Sequence, residues 1–216
     1  MSRTALLVDY GGVLTESLHD AFATFAAQIG LPADLPLRLL STDEAARAAF
    51  VAHECGRASD EEFEAAYADA LGRHGADVDA HGLIARVLGG LGLDHEMLDL
   101  VARVRASGVP VALVTNSLGR DAYRGVDLNA IADTVVISGV EGVRKPSRAI
   151  YQLACERLGV APTDCVMVDD LRANLDGAAR LGIVGVLHRD AASTAAELAV
   201  HFDNPGLVRP DAQSAG

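Results

Sequence analysis

The chain has no tryptophan, and phenylalanine and tyrosine together make only 4% of its 216 residues. A stacking cage for a large aromatic ligand is therefore not expected, and a small polar site is preferred. Lysine is almost missing: of the 18 basic residues 17 are arginine, leaving Lys145 alone. A lysine that survives such a bias suits a compact point charge on a flexible stem. Positive charge as a whole is scarce, since 30 acidic side chains bring the net charge to -12. An acidic surface repels nucleic acid and anionic lipid, so neither is an expected partner. The three cysteines, Cys55, Cys155 and Cys165, are scattered and form no CxxC pair. They read as reduced thiols of a cytoplasmic protein rather than a disulfide framework or a zinc site. No apolar run approaches the ~20 residues of a membrane span. The opening MSRTALLVDY reaches Asp9 too soon for a signal peptide.

What is present is an ordinary globular composition, 50% hydrophobic and 22% charged. Three apolar runs end directly in polar residues: 5–9 before Tyr10-Gly11-Gly12, 109–115 before Asn116-Ser117, and 164–170 before Leu171. Runs without alternation predict strands buried on both faces, as in a parallel sheet. Two weaker runs occupy 133–139 and 182–188. Helical patterns at 94–107, 147–158 and 172–181 lie among them, the second opening on Ser147 as N-cap. Alternating strands and helices predict an α/β fold, a Rossmann-like doubly wound parallel sheet. Its ligands would bind at the carboxyl ends of the strands, where the three polar ends converge. Residues 15–92 break the rhythm with helical patterns only, at 18–29, 43–53, 60–72 and 79–89. We read them as an inserted helical cap, with 1–14 and 93–202 as the core domain and 203–216 as a disordered tail.

The chemistry sits at those strand ends. Asp9 offers a nucleophile or a metal ligand, or merely caps a turn. Gly11 and Gly12 allow backbone to approach a ligand closely. Thr115 and Asn116 open an anion cradle or a plain helix cap. Asp169 and Asp170 are adjacent carboxylates that need a cation or strong donors to stay ionised together, unless solvent keeps them apart. Oxygen ligands of this kind suit Mg2+.

As an ordered set, Asp9 with its glycine pair, Thr115, Lys145-Pro146, and Asp169-Asp170 with Asn174 resembles the four motifs of the haloacid dehalogenase superfamily. The resemblance runs from about residue 5 to 190, and the helical insertion resembles that family's C1-type cap. Most members of this kind are Mg2+-dependent phosphatases; a minority are dehalogenases or other transferases. The resemblance implies Asp9 as the nucleophile that forms an aspartyl-phosphate, and Lys145 as its charge partner. It implies Thr115, Asn116 and Gly12 as substrate-binding residues. Asp9, the Gly11 carbonyl, Asp169 and Asp170 would surround Mg2+, with Asn174 orienting the acidic loop. The expected substrate is a small phosphorylated metabolite, and the expected assembly a monomer or homodimer.

The family's phosphatases usually carry a second Asp two residues after the nucleophile, where this chain has Gly11. General acid–base help of that kind is worth ~100- to 10,000-fold in rate. Glu16, His19 and acids of the cap are candidate replacements. A weakly active or non-catalytic ligand-binding protein is the alternative reading. A 2-haloacid dehalogenase fits less well, because Asp169 and Asp170 would repel a carboxylate substrate. His53-Glu54 lacks a second histidine at helical spacing, so zinc is not indicated. Neither GxSxG nor a strand-following GxGxxG is present. Arg57 in a cap turn reads as a surface residue.

Overall fold

The computed structural model describes residues 2–117, 119 and 123–208. Among them, five strands form one parallel sheet: β1 (Ala5–Val8), β2 (Val111–Thr115), β3 (Thr134–Ile137), β4 (Cys165–Asp169) and β5 (Val184–Leu187). The helices are α1 (Leu18–Gln28), α2 (Leu35–Thr42), α3 (Glu44–Glu54), α4 (Asp60–Gly72), α5 (Leu83–Leu88), α6 (His95–Ala106), α7 (Leu128–Ile131), α8 (Ser138–Glu141), α9 (Arg148–Leu158), α10 (Arg172–Ala179) and α11 (Ala191–His201). The strand order is β3-β2-β1-β4-β5. This is the doubly wound α/β sheet that the sequence predicts. The three strong apolar runs are the three inner strands, buried throughout. The two weaker runs are the edges, β3 and β5, which are only partly covered.

Successive residues of a strand point to opposite faces. Leu6 and Val8 of β1 join Val111, Leu113, Val166 and Val168 beneath α6 and α11. Ala5 and Leu7 join Ala112, Val114, Cys165 and Met167 beneath α9 and α10. Cys155 and Cys165 meet there with Sγ atoms 3.6 Å apart, both as free thiols. The winding direction reverses at β1, which has β2 on one side and β4 on the other. Such a reversal opens a crevice at the strand carboxyl ends. Register fixes what meets there: Val8 pairs with Leu113 and with Val168. Asp9 and Asp169, the next residue on each strand, therefore emerge level with each other.

Helices α1–α5 pack around a separate apolar cluster that includes Phe25, Leu39, Phe63, Tyr67, Leu71 and Leu83. The chain enters and leaves this helical unit through paired backbone. Thr15 bridges Leu93 in antiparallel fashion, Glu16 N donates to Gly92 O at 2.9 Å, and Asp94 N donates to Leu14 O at 2.9 Å. Helix α2 is not foreseen in the sequence pattern. Its Pro36 stands in the first turn, where a missing N–H costs nothing. The last predicted cap helix, 79–89, shortens to α5. Residues 203–208 correct the expectation of a disordered tail from 203. Leu207 is buried against the core, and its carbonyl accepts from Arg103 Nη1 at 2.8 Å. The rest of that predicted tail, 209–216, lies outside the described residues. Among the described residues, no helix is long and apolar enough to cross a membrane.

Candidate active site

Lys145 is the centre of the site. It is 1% exposed, and its Nζ lies 2.7 Å from Asp9 Oδ1 and 2.7 Å from Asp169 Oδ2. One ammonium thus ties the end of β1 to the end of β4. A planar guanidinium with its fixed fork is a poor substitute at such a junction, which accounts for the one lysine of the chain. Its backbone is held as firmly. Asn116 Oδ1 accepts from Lys145 N at 2.8 Å, and Asn116 Nδ2 donates to Lys145 O at 3.3 Å. The Asn116 side chain thus places the Lys145 backbone and also reaches Glu54.

Asp9 Oδ1 also accepts from Tyr10 N at 2.7 Å, so Oδ2 is the oxygen left for chemistry. Asp169 has both oxygens engaged. Leu171 N and Asn174 Nδ2 each donate to Oδ1 at 2.9 Å, and Asn174 Nδ2 also reaches Oδ2 at 3.1 Å. Thr115 is buried at the end of β2, with Oγ1 donating to Asn116 O at 3.1 Å. Gly12 has φ +73°, and a Cβ there would stand 2.5 Å from Asp170 Oδ2. Only glycine lets the Asp170 carboxylate come this close. Gly12 N donates to Thr15 Oγ1 at 2.9 Å, so its place is beneath Asp170 rather than in the cavity wall.

Burial pushes the Asp9 carboxyl above the ordinary carboxylate range; the Lys145 ammonium opposes this, and Asp169 adds to it. Burial likewise raises Asp170 to about 6, helped by Asp169. For Lys145, burial pulls downward, but Asp9 and Asp169 outweigh it and hold the ammonium above its ordinary value. Three carboxylates share one ammonium, so the site is short of positive charge. Oxygens of Asp9, Asp169 and Asp170 lie within 4.8 Å of one another. An oxygen-only donor set with surplus negative charge fits a hard divalent cation. Because Asp169 is already fully bonded, Asp9 and Asp170 are the residues with oxygens to give.

Asp9, Gly11, Thr115, Asn116, Lys145, Asp170 and Asn174 border a cavity of about 210 Å³. Its other wall is the helical unit, and this is what the sequence does not reveal. The end of α3 places His53 and Glu54 there, and Arg144 joins them from the core. Glu54 is buried, with Oε2 2.7 Å from Arg144 Nε. Burial pushes Glu54 up to about 7 against the pull of Arg144 and Lys145. Ser138 Oγ donates to Glu54 O, and a Cβ on Gly56 would strike Gly139 O. The end of α3 is thus locked on the core. His53 Nε2 bonds Asp60 Oδ1 at 2.8 Å, and its ring stacks on Phe63. Of the acids proposed from sequence, Glu54 of the helical unit lines the cavity, while Glu16 and His19 stand elsewhere. Glu16 Oε2 accepts from Gly92 N at 3.3 Å at the hinge, and His19 lies exposed beside Asp20.

The small polar site expected from aromatic scarcity is not what forms. Phe22, Phe50, Phe63 and Tyr67 all line this one cavity. Bulk composition does not report such concentration.

Comparison with known proteins agrees with this geometry. Mouse acyl-CoA dehydrogenase family member 10 is 36% identical over 90 residues, covering 40% of this chain and 8% of that protein. Sesquiterpene phosphatase astK of Aspergillus oryzae is 27% identical over 105 residues, covering 47% of this chain and 54% of that protein. The chain thus spans about half or less of these curated relatives. A haloacid dehalogenase family enzyme from Bacteroides thetaiotaomicron, crystallised as a magnesium complex, superposes with a TM-score of 0.63 at 22% identity, covering 88% of this chain and 94% of that one. Residues 4–182 match the haloacid dehalogenase-like hydrolases. That span takes in the whole sheet crevice except β5, and with it every group gathered around Lys145. The chain belongs to the haloacid dehalogenase-like hydrolase family.

Proposed function

We propose that the protein is a Mg2+-dependent phosphomonoester hydrolase that works through an aspartyl-phosphate on Asp9. The observation that carries this reading is the single buried ammonium of Lys145, 2.7 Å from both Asp9 and Asp169 at the switch point of the sheet. Asp9 Oδ2 attacks phosphorus, the bond from phosphorus to the ester oxygen breaks, and the departing oxygen keeps the electron pair and takes a proton from water. Water then attacks the same phosphorus and gives up a proton to the hydroxide left by the first step, and the Asp9 carboxylate leaves with its electrons restored. Lys145 holds Asp9 in line and offers its remaining N–H to a phosphoryl oxygen. Asp9 and Asp170 would hold Mg2+, which when bound supplies the positive charge that three carboxylates and a phosphoryl group require. The magnesium complex of the Bacteroides enzyme and the phosphatase name of the Aspergillus relative support both points. A 2-haloacid substrate fits less well: its carboxylate would meet Asp170 with Lys145 and Arg144 already paired.

The test is hydrolysis of p-nitrophenyl phosphate, whose leaving group needs no proton and so bypasses the missing acid at Gly11. Turnover should require Mg2+ and fall about a thousandfold or more in Asp9→Asn. Full activity in that variant would sink the mechanism. Tight ligand binding with no turnover would favour a non-catalytic role.

A further inference from the structure

Resting on the phosphomonoester reading, we propose that the substrates are phosphate monoesters whose organic part is apolar, and that the helical unit selects them. Six apolar side chains of that unit and its approach, Leu18, Phe22, Leu37, Phe50, Ile84 and Leu88, line the cavity and are only half-buried. Five of them pack on their inner side against the helical cluster. They are not sealed in the core: each borders the space beside Asp9, and Ile84 and Leu88 also border a neighbouring cavity.

Polar groups are few in this wall, and most of them face one another. The Tyr67 hydroxyl donates to Pro36 O at 2.9 Å, which leaves its ring for the cavity. His53 Nε2 is held by Asp60, and Glu54 by Arg144. Among the described residues lining the cavity, His53 Nδ1, Glu54 Oε2 and Arg144 Nε are buried without a hydrogen bond, the last two facing each other as an ion pair. A sugar or other polyol phosphate would therefore bury most of its hydroxyls against carbon. Unmatched buried hydroxyls are costly, whereas every buried methylene contributes. Charge argues the same way. The lysine and arginine of the cavity, Lys145 and Arg144, are both paired with carboxylates. A second phosphate or a carboxylate on the organic part would find no free cation among them.

The experiment compares para-propylphenyl phosphate with para-(dihydroxypropyl)phenyl phosphate, which share a carbon skeleton and have closely similar leaving groups. The propyl ester should be preferred in kcat/KM by about tenfold or more. Along the methyl, ethyl and propyl series kcat/KM should climb about fourfold per methylene. Phe50→Ala, at a half-buried position, should lower the propyl-to-dihydroxypropyl ratio at least about threefold, and Leu37→Ala serves as the second variant. Equal or reversed preference would overturn the proposal while p-nitrophenyl phosphate turnover left the hydrolase reading intact. If no ester is hydrolysed, the hydrolase reading fails instead, and the two matching phosphonates are titrated calorimetrically against the Mg2+-loaded protein. Tighter binding of the propyl compound upholds the apolar selection; equal binding, or none of either, overturns it.

Discussion

At the scale of single residues, the groups gathered at the strand ends and those of the facing helical wall differ in how far the sequence exposes them. Asp9, Thr115 and Asp169 are read directly, because each closes an apolar run and strand ends of a doubly wound sheet converge, and Lys145 stands out as the one lysine of the chain. Asn116 was legible as a member of the set but not in its task, since a side-chain amide can as well bond a ligand as the backbone of Lys145. Glu54 is one undistinguished acid of the cap in sequence and Arg144 carries no signal, because their meeting depends on how the helical unit lies on the core. Glu54 leads to a prediction at this scale. Its carboxyl titrates at about 7 in the folded chain against an ordinary 4.5, burial being the cause. Between those values the folded chain holds a proton that the unfolded chain has released. Stability therefore falls as pH rises through that window, by up to about 3 kcal/mol, and levels off above it. Glu54→Gln removes the titration. Urea unfolding should show the variant gaining on the wild type from about pH 5 to about pH 8. An equal difference at both pH values would mean that Glu54 is ionised throughout.

At the scale of elements, strands were read more securely than helices. A buried strand needs only a short apolar run, and the strength of the run even separated the inner strands from the edges β3 and β5. The cap helices were recognised by periodicity, which marks an apolar face without saying what covers it. Side chains that fill a core and side chains that wall a cavity are the same types, so Phe50 and Phe25 look alike in sequence. Helix α4 shows how much local chemistry can specify. Ser59 Oγ accepts from Glu62 N at 3.2 Å, and Glu62 Oε2 accepts from Ser59 N at 2.8 Å, a complete capping box. Ser59→Ala should cost about 1 kcal/mol in urea unfolding. A loss below a few tenths would show that tertiary packing alone fixes the start of α4.

At the scale of the whole molecule, net charge and site charge point the same way. A chain of net charge -12 gathers three carboxylates around one ammonium in its buried crevice. Such a site stores electrostatic repulsion that a bound cation relieves. Mg2+ at about a hundred times its dissociation constant should stabilise the fold by about 2.7 kcal/mol, read as a rise in Tm. Asp170→Asn should abolish most of that rise. An unchanged Tm with and without Mg2+ in the wild type would show that the acidic cluster holds no cation.

The backbone pairing of Thr15 with Leu93 has one more consequence. The five helices begin and end at the same spot, so to the core they amount to one very long turn between β1 and α6. The wall beside Asp9 therefore hangs on the core at two places alone among the contacts described above, the paired residues Thr15 and Leu93 and the seat of α3 on Ser138 and Gly139.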